Sequence, residues 1–589
     1  MNSLHLASRA DVLAAPREAR RLCLSWAALA ACRAAGIPAS PWDESFPAAR
    51  AKEAEARSLF AAKNWYRRPG ADDPTVVDGL SLGRSLEWLA WILILKPSFK
   101  FLGALNAAFE ESRPQIVYCD DDLAPPRRAL IEALQIKFGF ELRWLAGPPS
   151  GQLADRWNPP SLDVSSSKLA VFRALNLAAS AARMIRGAAR DGGLVVSYYR
   201  SLQPVLDELA RRGGVAEIGD GAPRSALARL ARLGCRFWSA GTPLDARAET
   251  EAAAVEMAAE IRNRLASGAL DETLAWDGVS LRRSVEAELG SLAEQNLPSL
   301  SRLARGLERE WDRQRPRLVV VPYSGLPRQS LLLQLARRKG RPSVMLLHGL
   351  PISYDLPIEG GTTHLAAWTP EQIGLYKGAA GEDRTLLSAG NPYFDGYKNM
   401  PKASASGPIR RVLVLTSPEN TYSFLSSELA GEIQADAMLR VLAETSGCES
   451  TLKLHPSELE ERYRGITSSI VSRARLSRTE PIQDCLRNHD LVIGGYSTVL
   501  LEAMLAGLPV ICVNFGREAH PAPFDGASMP VARTPAQLRT WIVLARDYPD
   551  GLRRDLFKTY DDVLRRFAGP IDGTASARVA EALDRLARE

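Results

Sequence analysis

The stretch that most constrains this chain runs from Asp490 to Asn514, DLVIGGYSTVLLEAMLAGLPVICVN. Leu491, Val492 and Ile493 form a short apolar run suited to a buried parallel strand. Gly494 and Gly495 break the run where the backbone must turn. Ser497 and Thr498 stand where a helix N-cap belongs, and VLLEAMLAG supplies the helix. Gly507 ends it and Pro509 resets the chain before a second strand, Val510 to Val513. Together these make half of a doubly wound unit. Its helix N-terminus offers N–H groups and a positive dipole end, which predicts a phosphate position built by Gly494, Gly495, Ser497 and Thr498. Glu502 follows about one and a half turns into that helix, within reach of a ribose hydroxyl.

A chain of 589 residues exceeds one hydrophobic core and predicts three or four domains. Its 46% hydrophobic and 24% charged residues are the balance of a globular protein. The net charge of +6 suits anionic small ligands or an acidic membrane surface and falls short of a nucleic-acid footprint. The 7 cysteines include no CxxC pair, so neither a disulfide framework nor a zinc site is indicated. Arg9, Asp11, Arg17 and Glu18 precede any apolar run, and Trp88 to Leu95 is too short to span a bilayer. These features predict a cytoplasmic protein.

The first third opens with a strand near Leu4 to Ala7 and an Ala/Arg-rich helical stretch from Pro16 to Ala35. It also carries a segment that returns later. Asp78 to Glu87 reads DGLSLGRSLE, and Asp277 to Glu286 reads DGVSLRRSVE. Arg113-Pro114 before one apolar run matches Arg315-Pro316 before another. The echo predicts an internal duplication, with a first Rossmann-like lobe over 1–155 and a related one over 192–400. Asp120, Asp121 and Asp122 end the first lobe's strand and suit either a cation or a solvated loop; their counterparts are Pro322, Tyr323 and Ser324, so no metal is expected. Between the lobes, residues 156–191 hold a basic amphipathic helix from Lys168 to Arg190. It can pack between lobes or lie peripherally on an anionic membrane.

In the second lobe, strand Ser343 to Leu347 stops at His348-Gly349, at the sheet's carboxyl edge, where ligands bind. The following loop brings Asp355 and Glu359, carboxylates suited to general-base work beside His348. A turn, Gly390-Asn391-Pro392-Tyr393-Phe394-Asp395, closes this lobe. The last lobe, 401–589, has a strand Thr451 to Leu454 that stops at His455-Pro456, putting an imidazole at the edge where it can donate to phosphate.

In order, His348-Gly349, Gly390-Asn391-Pro392-x-Phe394-Asp395, Lys453-x-His455-Pro456 and Gly494-Gly495-x-Ser497-Thr498 resemble GT-B glycosyltransferases of bacterial surface and capsule polysaccharide synthesis. The pattern looks closest to Kdo and sialic acid transferases that use CMP-activated sugars. The outline is also similar to CDP-glycerol glycerophosphotransferases and UDP-N-acetylglucosamine 2-epimerases. The resemblance covers about residues 192–550. It implies an α/β GT-B fold of two facing Rossmann-like domains, here with an additional N-terminal lobe. It also implies a metal-independent enzyme with a nucleotide-sugar co-substrate, no further cofactor, and a glycan or glycolipid acceptor. His455, Pro456, Ser497 and Thr498 would hold the donor phosphate. The acidic motif that bears the base in bacterial sialyltransferases has no convincing copy here.

Overall fold

The computed structural model describes residues 2–70, 72–147, 174, 177, 194–197, 202–212, 215–218, 236–238, 248–350, 361–377, 385–403, 406–417, 423–445, 447–469 and 474–589. The first lobe is a parallel sheet of β1 (Ser3–Ala7), β2 (Arg20–Cys23), β3 (Ala39–Pro41), β4 (Ile116–Asp120) and β5 (Glu141–Leu145), ordered β3-β2-β1-β4-β5. The sequence predicts one helical stretch from Pro16 to Ala35, but the chain forms β2 and then helix α1 (Trp26–Ala34). Arg21 accounts for the difference. It is 1% exposed, and its guanidinium donates to the carbonyls of Val12, Ala15, Pro16, Arg17 and Ala19. The loop before β2 thus folds around a cation that a surface helix would have left in water.

Helices α2 (Ala48–Asn64), α3 (Arg84–Ser112) and α4 (Pro125–Phe138) complete this lobe. Among the described residues α3 is the only helix long and apolar enough to cross a membrane, and it is a core helix, with 78% of its most apolar window buried. It contains a π-helical turn, Trp91–Leu95.

The second lobe repeats the topology. Strands β6 (Leu194–Ser197), β7 (Val215–Ile218), β8 (Arg236–Trp238), β9 (Leu318–Val321), β10 (Ser343–Leu346), β11 (His364–Ala367) and β12 (Thr385–Ser388) pair in the order β8-β7-β6-β9-β10-β11-β12. Its helices include α5 (Gln203–Arg212), α6 (Ala248–Ala266), α7 (Arg282–Gln314) and α8 (Pro327–Arg338). The third lobe has β13 (Arg411–Leu415), β14 (Glu449–Lys453), β15 (Ala474–Ser477), β16 (Leu491–Gly494), β17 (Val510–Val513) and β18 (Val531–Ala532), ordered β15-β14-β13-β16-β17-β18, with helices α9 (Ala430–Thr445) and α10 (Thr498–Leu505). Every ladder in the three sheets is parallel, and each reverses strand order between its first and fourth strands. The protein is therefore an α/β chain of three Rossmann-like lobes, the last two facing each other as in a GT-B fold. The final helix, α11 (Ala575–Leu586), returns to lobe 2 and buries Val579, Ala580 and Leu583 against Leu194, Val196 and Leu318.

The echoed segments fold alike. Each starts as a two-stranded ribbon turning at Asp-Gly: Val76–Val77 with Leu80–Ser81, and Ala275–Trp276 with Val279–Ser280. Asp78 and Gly79 have φ of 49° and 77°, and Asp277 and Gly278 have 58° and 74°, the geometry of a type I′ hairpin. A long helix follows and ends at an arginine in the left-handed region, Arg113 at 41° and Arg315 at 45°. These four are the non-glycine residues of positive φ among the described residues, and they form two matched pairs.

The ribbons are exchanged between the lobes. The first lies on α8 of lobe 2, where Gln334 bonds both the N–H and the C=O of Ser81, at 2.9 and 3.1 Å. The second lies on α2, α3 and α4 of lobe 1, where Arg50, Asn106 (2.9 Å) and Lys137 (2.8 Å) hold Asp277. Asp78 meets Arg305 at 3.4 Å, and the spacing from Asp78 to Asp277 equals that from Asn106 to Arg305. The contact is isologous, as across a two-fold axis. Asp277 is 26% exposed and Asp78 48%. Asp277→Ala should therefore cost about 1–3 kcal/mol for the donors it strands, and Asp78→Ala at most about 1 kcal/mol as an exposed pair. Urea unfolding of both variants checks this, and equal costs would refute it.

Candidate functional site

The carboxyl edge of lobe 3 gathers the ends of β13, β14 and β16. Gly494 closes β16 where a Cβ would come within 2.9 Å of Leu415 on β13, so only glycine fits there without displacement. At Gly495 a Cβ would lie 3.1 Å from Gln434 of α9. Ser417, after β13, donates to the Tyr496 carbonyl at 3.1 Å and ties the two edge loops together. Ser497 is the N-cap of α10, with φ −158° and Oγ accepting from the Val499 N–H at 3.2 Å. Thr498 faces the other lobe, where its Oγ1 accepts from the Leu350 N–H at 3.0 Å. Leu350 follows β10, so the carboxyl edges of the two sheets oppose each other and meet at this bond. Gly349 lies alongside, where a Cβ would sit 3.6 Å from Thr498 Oγ1.

His455 follows β14 at the same edge and is exposed, as is Pro456. Its backbone N–H donates to Thr416 Oγ1 at 2.9 Å and to Glu458 at 3.1 Å. Its Nδ1 accepts from the Ser457 N–H at 3.2 Å and lies 2.7 Å from the Ser457 hydroxyl. That acceptor role assigns the proton of the neutral ring to Nε2, which makes Nε2–H a donor. Although the side chain reaches water, protein packed around the ring desolvates it and holds its pKa below the usual histidine value. Lys453 adds to this and Glu458 opposes it. Glu458 is fixed in turn by Tyr463 at 2.6 Å and by Thr416.

On the lobe 2 side of the Leu350–Thr498 contact, the His348 ring lies against Tyr323 with centroids 4.1 Å apart and planes tilted by 51°. Its Nδ1 is 3.2 Å from the Pro322 carbonyl, an acceptor, so the proton sits on Nδ1 and Nε2 is the basic nitrogen. Burial drives its pKa down to about 4, the bond to Pro322 opposing only in part, and the ring is neutral near pH 7. Asp355 and Glu359 lie outside the described residues.

Glu502 is not turned toward a ribose position. It is 4% exposed, and its carboxylate accepts from the Tyr397 hydroxyl, joining α10 to the turn that closes lobe 2. The preceding motif is structural as well. Asn391 caps the turn Pro392–Tyr397, and Asp395 caps α11 by accepting from Ala575 N at 2.9 Å and Ser576 N at 2.8 Å. Gly390 (φ 84°) is in the left-handed region that favours glycine, and a Cβ there would press on Arg578 at 3.0 Å and Ala575 at 3.1 Å.

In lobe 1 the corresponding edge is filled by the chain itself. Asp120 is wholly buried and accepts from the N–H groups of Ser8 (2.8 Å) and Arg9 (2.9 Å), with His5 Nε2 at 3.2 Å. Burial opposes its charge, but the bonds from His5 and from the two amides outweigh it and hold the carboxyl below its usual range. Asp121 pairs with Arg9 at 2.6 Å and Asp122 accepts from Ser8. Among the described residues no group of three or more His, Cys, Asp or Glu is arranged to hold a metal ion. Sequence reasoning missed Tyr323 and the partners of Asp120, which stand far from their partners in the chain, and it missed Glu458 although that residue follows His455 by three positions.

No family model matches the chain, and no curated protein matches its sequence. Several solved structures resemble it. A putative UDP-N-acetylglucosamine 2-epimerase from Listeria monocytogenes is 13% identical, with a TM-score of 0.42 over 67% of this chain and 96% of that one. The wall teichoic acid polymerase TagF, soaked with CDPG, is 11% identical, with 0.38 over 72% and 95%. A glycosyltransferase from Rickettsia africae is 9% identical, with 0.38 over 68% and 99%.

The histidines give a pH dependence. His348 and His520 both have folded pKa values of about 4, through burial and, for His520, the nearby Arg533. Unfolded histidine titrates near 6.5, so between those values the unfolded chain binds the extra protons and stability falls as pH drops. Each ring contributes at most about 3 kcal/mol of this loss. Denaturant unfolding at pH 7 and 4.5 should show it, with His348→Gln losing less on acidification than the wild type. An identical acid loss in the variant would exclude His348 as a source.

Proposed function

We propose that this chain is a transferase for nucleotide-activated sugars, passing a sugar, with CMP-Kdo or another CMP-nonulosonate as the donor class, to a bacterial surface glycan or glycolipid. The observation that carries the reading is the opposition of two doubly wound carboxyl edges at the Leu350–Thr498 bond. That geometry makes a shared cleft with a phosphate-type edge on one side and a basic nitrogen on the other. The donor phosphate is assigned to His455 Nε2–H, Gly494, Gly495, Ser497 and Thr498, with Pro456 setting the loop. In the reaction the bond from the anomeric carbon to the phosphate oxygen breaks, and the phosphate leaves with the electron pair. The acceptor hydroxyl oxygen bonds that carbon and gives its proton to a base on the lobe 2 side. Asp355, Glu359 and His348 are the proposed bases; a pKa of about 4 makes His348 a weak one. The positive end of α10 and the His455 donor take the part a cation plays elsewhere, so turnover is expected to survive chelation by EDTA. The proposed setting is the cytoplasm, with a peripheral contact to the inner membrane where a lipid-linked acceptor is used.

A thermal-shift panel of CMP, CDP, UDP and GDP ligands tests the reading. At a hundred times its Kd, a true ligand adds about 2.7 kcal/mol of stability. Stabilisation by CMP and CMP-sugars supports the donor class. CDP-glycerol as the sole stabiliser would replace it with transfer of a polyol phosphate, and UDP-N-acetylglucosamine alone would favour epimerisation. His455→Ala should leave Tm unchanged, because the side chain is exposed, while removing one preorganised donor to the leaving phosphate. That loss is typically roughly 3–4 kcal/mol, or about a hundred- to a thousandfold in rate. A variant that turns over normally would remove His455 from the site.

A further inference from the structure

Strand β5 is an edge of the lobe 1 sheet, while its counterpart in lobe 2 is not. That counterpart, β10, lies inside its sheet and pairs Val344, Met345 and Leu346 with β11 on the side away from β9. Among the described residues no strand lies beyond β5. The ladder to β4 fixes which backbone groups look outward. The Glu141 N–H donates to the Gln115 carbonyl at 2.8 Å, and the Leu145 carbonyl accepts from the Asp121 N–H at 3.1 Å. Glu141, Arg143 and Leu145 therefore turn their amides toward β4, and by alternation Leu142 and Trp144 turn theirs outward. The side chains are open as well: Glu141, Arg143 and Trp144 are exposed, with the Arg128 guanidinium lying 5.0 Å from the centre of the Trp144 ring.

An edge of this kind is a template for a further strand, and proteins blunt such edges with proline or with repelling charge. From Glu141 to Leu145 there is no proline, and the two charges are of opposite sign. That charge pattern selects the occupant. Glu141 and Arg143 share one face of the strand, 2.7 Å apart. If β5 met a second β5 antiparallel about an axis at Arg143, two arginines would stand opposite each other, which is unfavourable. About an axis at Leu142, the two Leu142 residues exchange their outward N–H and C=O groups. Glu141 of each copy then faces Arg143 of the other in a close, non-hydrogen-bonded pair. The sequence is thus complementary to itself in a register that its outward amides also allow.

We propose that β5 is the docking edge for a second copy of this chain, paired antiparallel with its own β5 about a two-fold axis at Leu142. The two lobe 1 sheets then continue into one another, and the contact is isologous. It belongs to lobe 1, not to the cleft between lobes 2 and 3, so it stands independently of the transferase reading.

Sedimentation velocity of the full chain across the micromolar range tests this with wild type, Leu142→Pro, Glu141→Arg and the charge swap Glu141→Arg/Arg143→Glu. Wild type should pass from monomer to dimer as concentration rises, since an edge of 5 residues is small for a permanent interface. Leu142→Pro removes the outward N–H at the axis, spares the ladder to β4, and should stay monomeric. Glu141→Arg should weaken dimerisation about tenfold, because the reversal falls on both symmetric pairs, and the swap should return it to within about threefold of wild type. Glu141→Arg and the swap carry the test if the proline variant does not fold. A wild type that is monomeric throughout overturns the proposal. So does a dimer that Leu142→Pro leaves intact, or a swap variant no stronger than Glu141→Arg.

Discussion

The exchange of Asp-Gly ribbons between the first two lobes is the contact on which the rest of the arrangement depends. Because each ribbon is gripped by the other lobe's helices, lobes 1 and 2 cannot slide past one another without breaking both grips at once. The positive φ values at Asp78 and Asp277 are therefore more than turn geometry. They aim each ribbon out of its own lobe, at a backbone cost of about 1–2 kcal/mol for a non-glycine residue, offset by bonds such as that of Asn106 to Asp277.

Locking lobe 1 to lobe 2 has a consequence for the cleft. Helix α3 of lobe 1 is carried along its side, with Trp88 against Gly325 of lobe 2 and Lys100 donating to Ser426 of lobe 3. The seam to lobe 3 is polar as well. Asp43, buried, holds Lys100 at 3.0 Å, Ser427 at 2.6 Å and the Glu428 N–H at 2.8 Å. Lys96 is 3% exposed beside Trp91 and Phe424, and burial pulls its pKa well down. A buried polar seam is strong only in one register, since a slip would strand charges without partners. Lobe 3 therefore has one well-defined docked position against the other two.

Much of this was legible in the chain, and the parts that were not share a cause. The β16–α10–β17 unit could be read because each signal acts on its neighbours: an apolar run, two glycines, a serine cap and a glycine stop, within 491–513. The echo was legible because seven of ten residues repeat with their turn chemistry intact. Strand β2 was misread as helix because the reason for it, Arg21 enclosed by five carbonyls, exists only after the loop has closed. Glu502 was misjudged for a similar reason. Its spacing from Ser497 fits a ligand contact, but Tyr397, far away in sequence, takes the carboxylate first. The Asn391–Asp395 motif reads as a turn, and its partner, the start of α11, is brought back from the far end of the chain.

The three lobes share one topology and fill its reversal point in three ways, and that difference separates a binding edge from a structural one. In lobe 1 the amides of Ser8 and Arg9, placed where a ligand's oxyanion would be bound, already hold Asp120. An external phosphate there would have to displace a buried carboxylate that keeps both amides satisfied and carries the full local concentration of a tethered group. In lobe 3 the same position is lined by glycine, a capped helix start and an imidazole with an outward N–H, and the loop from Gly494 to Thr498 carries no acidic residue of its own. Lobe 2 stands between, with an imidazole against a tilted aromatic ring and a first-turn arginine. A duplicated lobe that supplies its own anion gains stability and loses the ability to bind one. Such a lobe is suited to bracing the pair that keeps its edges open.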